Sequence, residues 1–165
     1  MTDDHRILVL LRHAKSAYPT GVVDHDRPLA PRGVREAGLA GEWLRLNVPA
    51  VEQVLCSTAT RARETLAHSG VRAPVRYAQR LYGANASTVI DEIGTVADDA
   101  ATLLVVGHEP TMSDVALQLA GTDTFAAQRI AEKFPTSALA VLEVPHGWQR
   151  LDSGAATLLD FQVPR

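Results

Sequence analysis

Two unbroken apolar runs stand out along the chain, Ile7-Leu8-Val9-Leu10-Leu11 and Leu103-Leu104-Val105-Val106. Short runs of this kind, with β-branched residues and no alternation, read as strands covered on both faces, as in the middle of a parallel sheet. Val51 to Cys56 predicts a further strand and Val75-Arg76-Tyr77 a short one. Helical spacing takes over between them. Val34, Ala37, Ala40, Trp43 and Leu44 form one apolar stripe, stopped near Asn47-Val48-Pro49. Thr60 to His68 forms a second helix, for which Ser57 or Thr58 is a candidate cap. Val89, Ile90, Ile93 and Val96 place a third over Asn85 to Ala97. Met112, Val115, Ala116 and Leu119 place a fourth, started by Pro110 and ended at Gly121. Ala138 to Val144 and Trp148 to Leu151 read as strands joined at Pro145-His146-Gly147, with Thr157 to Val163 as a last one. Strands alternating with helices and closing in antiparallel strands predict an α/β fold. It is expected to be a three-layer α/β/α sandwich with a mostly parallel central sheet and antiparallel edge strands. Residues 1–165 suffice for a single domain with its own core.

In an open α/β sheet, ligands bind outside the carboxyl ends of the strands. Three predicted strands end in chemistry-bearing residues: Arg12-His13, Ser57 leading to Arg61, and Gly107-His108. The connection from Ala17 to Gly33, rich in proline and glycine, is long for a compact domain, and such loops are often functional. The net charge of −3 and the lack of a basic run argue against a nucleic-acid partner. Cys56 is the only cysteine, so no intrachain disulfide forms and a reducing cytoplasm is expected. The acidic start, Met1-Thr2-Asp3-Asp4-His5, does not read as a signal peptide, and no apolar run is long enough to span a bilayer, so no membrane partner is expected.

Two arginines and two histidines at one sheet edge suit a phosphoryl group, which carries about one to two negative charges near neutral pH. Arg12 and Arg61 can neutralise it and hold its oxygens in pairs. Histidine is a competent covalent nucleophile, and nearby guanidinium groups favour its neutral form. A second histidine that stays protonated would stabilise charge on the transferring group. These residues point to a phosphohistidine intermediate, formed and then hydrolysed, without metal or cofactor.

The same residues carry a family resemblance. Leu11-Arg12-His13-Ala14 resembles the Arg-His signature of the histidine phosphatase superfamily, and Arg27-Pro28-Leu29-Ala30-Pro31-Arg32-Gly33 resembles its "RPLT..G" segment. Cys56 to Thr65 resembles the "SP..RA.QT" segment, and Val106-Gly107-His108-Glu109-Pro110 the second-histidine motif. Phe134-Pro135-Thr136-Ser137-Ala138 is similar to a late segment of the SixA-type phosphohistidine phosphatases. The ordered set runs from the first strand to about Ala140. The resemblance implies a phosphoglycerate-mutase-like fold, His13 as the phosphorylated nucleophile, and Arg12, Arg61 and His108 as the rest of the phosphate pocket. Lys15 and Ser16 are further candidates for substrate binding. One departure matters. Larger members carry a glutamate proton donor in the segment resembling Arg80-Leu81-Tyr82-Gly83-Ala84, where this chain has no carboxylate. A general acid is worth about 10²–10⁴-fold, so its absence disfavours alkyl phosphate esters more than a P–N bond. Asp24 and Asp26 in the long loop are possible substitute donors.

Other readings fit less well. The four residues between Cys56 and Arg61 are one too few for the phosphate loop of a cysteine phosphatase. His108-Glu109-Pro110-Thr111-Met112 lacks the second histidine of a zinc-protease helix. Asp24-His25-Asp26 are adjacent, a poor spacing for one metal ion. His5, His68 and His146 read as surface residues, and Trp43 and Trp148 as packing. The expected partner is therefore a phosphorylated protein or a small phosphorylated substrate, met by a monomer. The alternatives are a small-metabolite phosphatase and a non-catalytic phosphoprotein-binding module, the latter disfavoured because all four pocket residues are present.

Overall fold

Side chains on a strand alternate between faces, and the two central strands use that period to build two cores at once. The computed structural model describes residues 5–165. The acidic start Met1-Thr2-Asp3-Asp4, which does not read as a targeting segment, lies outside the described residues. Among those residues six strands form one sheet: β1 (Arg6–Arg12), β2 (Gln53–Ser57), β3 (Val75–Ala78), β4 (Thr102–Gly107), β5 (Leu139–Val144) and β6 (Thr157–Gln162). Their order is β3-β2-β4-β1-β5-β6. The first four in the chain run parallel; at one side β5 pairs antiparallel with β1, and β6 antiparallel with β5.

Leu8, Leu10, Leu103 and Val105 pack on one face with α3 (Ala86–Ile93), α4 (Thr111–Ala120) and α5 (Phe125–Glu132). Val9, Leu11, Leu104 and Val106 pack on the other with α1 (Pro31–Asn47) and α2 (Thr60–Ser69). The result is the expected three-layer sandwich. Each of these side chains is fully buried, so truncating one to alanine should cost about 2–5 kcal/mol.

Register fixes where the chemistry falls. Leu11 lies opposite Val106, Arg12 opposite Gly107, and Cys56 of β2 opposite the same Val106. The residues just beyond, His13, Ser57 and His108, therefore leave the sheet at one level. The long connection after β1 is ordered. Ser16 and Leu29 pair across it, Ala17 N–H donates to Pro28 O, and Asp24–Asp26 form a 3-10 turn. Gly33 closes it against the backbone at Lys15, since a Cβ there would lie 2.1 Å from the Lys15 carbonyl oxygen.

The elements differ from expectation in four places. The first helix begins at Pro31 rather than Val34, with proline in the position where its missing N–H costs nothing. The third spans only Ala86–Ile93, capped by the Asn85 side chain, which accepts from Thr88 N–H. Trp148 to Leu151 is not a strand. It is a turn that buries the Trp148 indole, whose Nε1–H donates to Ala100 O at 2.7 Å, and β5 pairs instead with β6. The helix Phe125–Glu132 was not anticipated, although Thr124 caps it by accepting from Ala127 N–H at 3.1 Å.

Candidate active site

His13 is held from both sides before its ring reaches the pocket. Its N–H donates to Gly107 O at 2.9 Å, and Ala14 N–H donates to Thr65 Oγ1 at 2.8 Å. Thr65 in turn donates to the Arg61 carbonyl, coupling the β1 end to the first turns of α2. The imidazole is buried, with Nδ1 2.7 Å from Ala14 O. A carbonyl only accepts, so Nδ1 carries the proton and Nε2 keeps its lone pair. Burial first, and then His108, Arg61 and Arg12, push the His13 pKa down to about 3. The arginines act in the expected direction, but loss of solvent is the larger cause.

The His108 ring lies 5.2 Å from that of His13, centroid to centroid. Its Nε2 is 2.8 Å from Ser57 Oγ. Burial, followed by the Arg61 charge, lowers its pKa to about 4. The expectation that this second histidine stays protonated is thus corrected: burial favours its neutral form. Ser57 or Thr58 is the expected helix cap. Instead Ala59 occupies that position, and Ser57 Oγ accepts from Ala59 N–H while facing His108.

Arg12 Nη1 donates to Phe134 O at 3.0 Å. Arg61, also buried, donates to the Asp24 carbonyl at 2.8 Å and to Asp24 Oδ2 at 3.1 Å. Arg12 Nε, Arg61 Nε and His108 Nδ1 are buried without a hydrogen-bond partner. Arg12, His13, Arg61 and His108 line one cavity of about 240 Å³. Larger cavities of about 290 and 340 Å³ lie elsewhere, by the ends of α1 and α2 and beside Trp148, and gather no such set of groups.

Lys15 and Ser16 line the same cavity. Ser16 Oγ is already engaged, accepting from Arg27 Nη1 at 2.6 Å. Asp24 reaches the site through Arg61. Its carboxylate also accepts from Tyr82 OH at 2.5 Å and from Arg27 Nε at 3.1 Å. The Tyr82 hydroxyl first, then Arg27 and Arg61, hold it well below the usual carboxylate range, so it is ionised. Asp26 is not brought to the cavity; it is exposed and pairs with His25 at 3.5 Å. Cys56 is buried behind the site, where desolvation pushes its thiol up to about 12.

Sequence reasoning missed four neighbours. Tyr82, in the segment that lacks the expected glutamate, sets its ring edge-on to His108 at 5.6 Å. Glu109 lines the cavity, its two oxygens accepting from Ser113 N–H and Oγ–H at 2.7 and 2.8 Å. Thr136 also lines it. Ser137 adopts φ +67° and shares its N–H between the Arg12 and His13 carbonyls. Adjacency to His108 was a readable signal for Glu109, and the Phe134–Ala138 motif was one for the other two.

A neutral imidazole with a bare nitrogen, flanked by two guanidinium groups and a second imidazole, is equipment for moving a phosphoryl group. Comparison with known proteins agrees. The chain belongs to the histidine phosphatase superfamily, branch 1, whose model matches residues 8–89, and it is a phosphatase. An uncharacterised protein of Mycobacterium tuberculosis (strain H37Rv) is 65% identical over 158 residues, covering 94% of this chain and 100% of the relative. A solved structure from Nakamurella multipartitia, proposed to be the phosphohistidine phosphatase SixA, is 41% identical with a TM-score of 0.91, covering 97% and 96% of the two chains. The protein histidine phosphatase SixA complexed with tungstate is 25% identical with a TM-score of 0.74, covering 96% and 97%. No helix of the described residues is long and apolar enough to cross a membrane.

Proposed function

We propose that the protein is a SixA-type protein phosphohistidine phosphatase, acting through a covalent phosphohistidine on His13. The observation that carries this reading is the donor set around His13. Three buried nitrogens, Arg12 Nε, Arg61 Nε and His108 Nδ1, lack partners, and a tetrahedral oxyanion supplies acceptors for the two guanidinium N–H groups and for the imidazole in its Nδ1–H tautomer. The SixA relative crystallised with tungstate, itself a tetrahedral oxyanion, is consistent with such a ligand.

His13 Nε2 attacks the phosphorus in line with the bond to the substrate imidazole. As that P–N bond breaks, its electron pair and a proton from solvent leave with the imidazole. Arg12 and Arg61 neutralise the oxygens. His108 donates from Nδ1 while Ser57 donates to its Nε2, and a bound dianion offsets part of the lowering that burial and Arg61 impose on that ring. Water then attacks the phosphoryl group on His13 Nε2. That step releases inorganic phosphate and restores the free ring.

The substrate class is argued from the proton inventory. Asp24 is ionised, and both oxygens of Glu109 accept from Ser113. Neither presents an uncommitted proton to an alkoxide leaving group, whereas an imidazole leaves readily. Asp24 and Asp26 are not assigned as donors for this reaction. Lys15 is assigned to the substrate beside its phosphate. The buried lone thiol suits action in the cytoplasm.

A substrate panel tests the reading. Phosphohistidine peptide should be turned over faster than aryl or sugar phosphates, and acid-labile phosphate should be trapped on wild-type protein. EDTA should leave turnover unchanged. Preference for a sugar phosphate over phosphohistidine peptide would instead identify a metabolite phosphatase.

A further inference from the structure

We infer that the loop from Tyr18 to Val23 is a docking surface for the protein that carries the phosphohistidine, and that it selects apolar and acidic residues beside the phosphorylated side chain. This inference rests on the phosphohistidine reading of the site. Within six residues the chain exposes Tyr18 (74%), Val22 and Val23 (65%). Single exposed apolar residues are ordinary, but a group of them next to a catalytic pocket marks an interaction site.

The loop is fixed in place. Arg27 stacks on the Tyr18 ring at 4.1 Å and donates to Ser16 Oγ and Ala17 O. Val23 precedes the Asp24 turn, which Arg61 and Arg27 grip through the Asp24 carbonyl and carboxylate. Its apolar side chains are therefore displayed at no further ordering cost, the condition under which a surface contributes to binding rather than spending energy on its own folding.

Charge complementarity selects the occupant. The chain carries −3 overall, yet the adjoining cavity is lined by Arg12, Lys15, Arg27 and Arg61 with Glu109 as its one carboxylate, and Asp24 beside it pairs with Arg61 and Arg27, which leaves Arg12 and Lys15 without a carboxylate in an ion pair among the described residues. A phosphoryl group engages Arg12 and Arg61. Lys15 forms no ion pair among the described residues and reaches only the Tyr18 ring, at 5.9 Å. That ammonium is left for a carboxylate flanking the phosphohistidine. A second copy of this chain, with its own net negative charge but no phosphoryl group, answers only half of that pattern.

The test compares peptides phosphorylated on histidine and flanked by Leu and Glu, by Gly and Ser, or by Leu and Lys, together with free phosphohistidine. Wild type should favour the Leu/Glu peptide over the Gly/Ser peptide about tenfold in kcat/KM. Val22→Ser with Val23→Ser should abolish most of that preference and leave free phosphohistidine turnover unchanged. Equal rates on all peptides, or an undiminished preference in the double variant, would overturn the docking surface. A concentration-dependent dimer in sedimentation, lost in the double variant, would also overturn it in favour of self-association. Turnover of aryl phosphate with none of any phosphohistidine compound fails differently, removing the substrate reading and this inference with it.

Discussion

The carboxyl ends of β1 and β4 are neighbours in register, and each delivers a histidine one step beyond the strand, His13 after Arg12 and His108 after Gly107. Burial is the largest cause of the low pKa in both. They differ in what holds the ring. The β1 histidine gives its Nδ1 proton to a carbonyl one residue away, which leaves Nε2 bare. The β4 histidine meets a hydroxyl, Ser57 Oγ, at Nε2 and keeps Nδ1 unpartnered. The residue and the sheet edge are shared, but opposite nitrogens are engaged. A carbonyl can accept but never donate, whereas a hydroxyl does either. So one ring is locked as a nucleophile, and the other is free to hold or to share a proton.

The comparison breaks most severely if the nucleophile is removed. His13→Ala should lower turnover by about 10⁴-fold or more and abolish trapped acid-labile phosphate, because no neighbour offers a bare nitrogen in its place. His108→Ala should cost less, on the order of 10²–10³-fold in kcat, the scale of losing one donor to a developing charge. Trapped phosphate should survive in that variant. Equal losses in the two variants, or loss of the covalent species in both, would dissolve the distinction between the strand ends. Rapid-quench measurements on both proteins check this.

Stability offers a second handle on the pair. The two pKa values are about 3 and about 4, below the ordinary 6.5 of an unfolded histidine. The unfolded chain therefore binds more protons as pH falls through 6.5, and native stability should drop from there down toward pH 4. At pH 5 the loss is on the order of 2 kcal/mol for each histidine. Glu109, whose carboxyl burial pushes upward, opposes it in part. Thermal unfolding from pH 7 to pH 5 should show a Tm lower by roughly 10 °C. That slope should flatten in a His13→Asn, His108→Asn double variant; an unchanged slope would place the pH sensitivity in other groups.

Much of this architecture was legible in the sequence because buried parallel strands announce themselves. Unbroken runs such as Leu103 to Val106 have one reading, and the residues just past their carboxyl ends fall at the ligand-binding edge. The four central residues were named that way, and the structure lines one cavity with all of them. What escaped was set by tertiary contact. Trp148 looked like a strand residue, yet its indole is pulled under Ala100. Ser57 looked like a cap because caps are a local pattern, whereas its partner is 51 positions away. Nothing local marks Ser137 for a left-handed backbone. The demand comes from the Arg12 and His13 carbonyls that share its N–H.

Ser57 supplies the smallest and sharpest of these tests. Its oxygen accepts from Ala59 N–H at 3.2 Å and lies 2.8 Å from His108 Nε2; when its proton is given to that nitrogen, the ring takes the Nδ1–H tautomer. Ser57→Ala deletes two hydrogen bonds, the one to His108 and the longer one from Ala59 N–H; the loss at His108, worth about 1 kcal/mol, should lower kcat roughly five- to tenfold with little change in the pH at which the protein unfolds. The variant should retain its phosphoryl-enzyme, since His13 takes its own tautomer from Ala14 O and owes nothing to Ser57. Ser57→Thr restores the hydroxyl and should recover most of the rate. A thermal midpoint that falls while kcat stays at the wild-type value would make Ser57 a packing residue and leave the His108 tautomer to be set elsewhere.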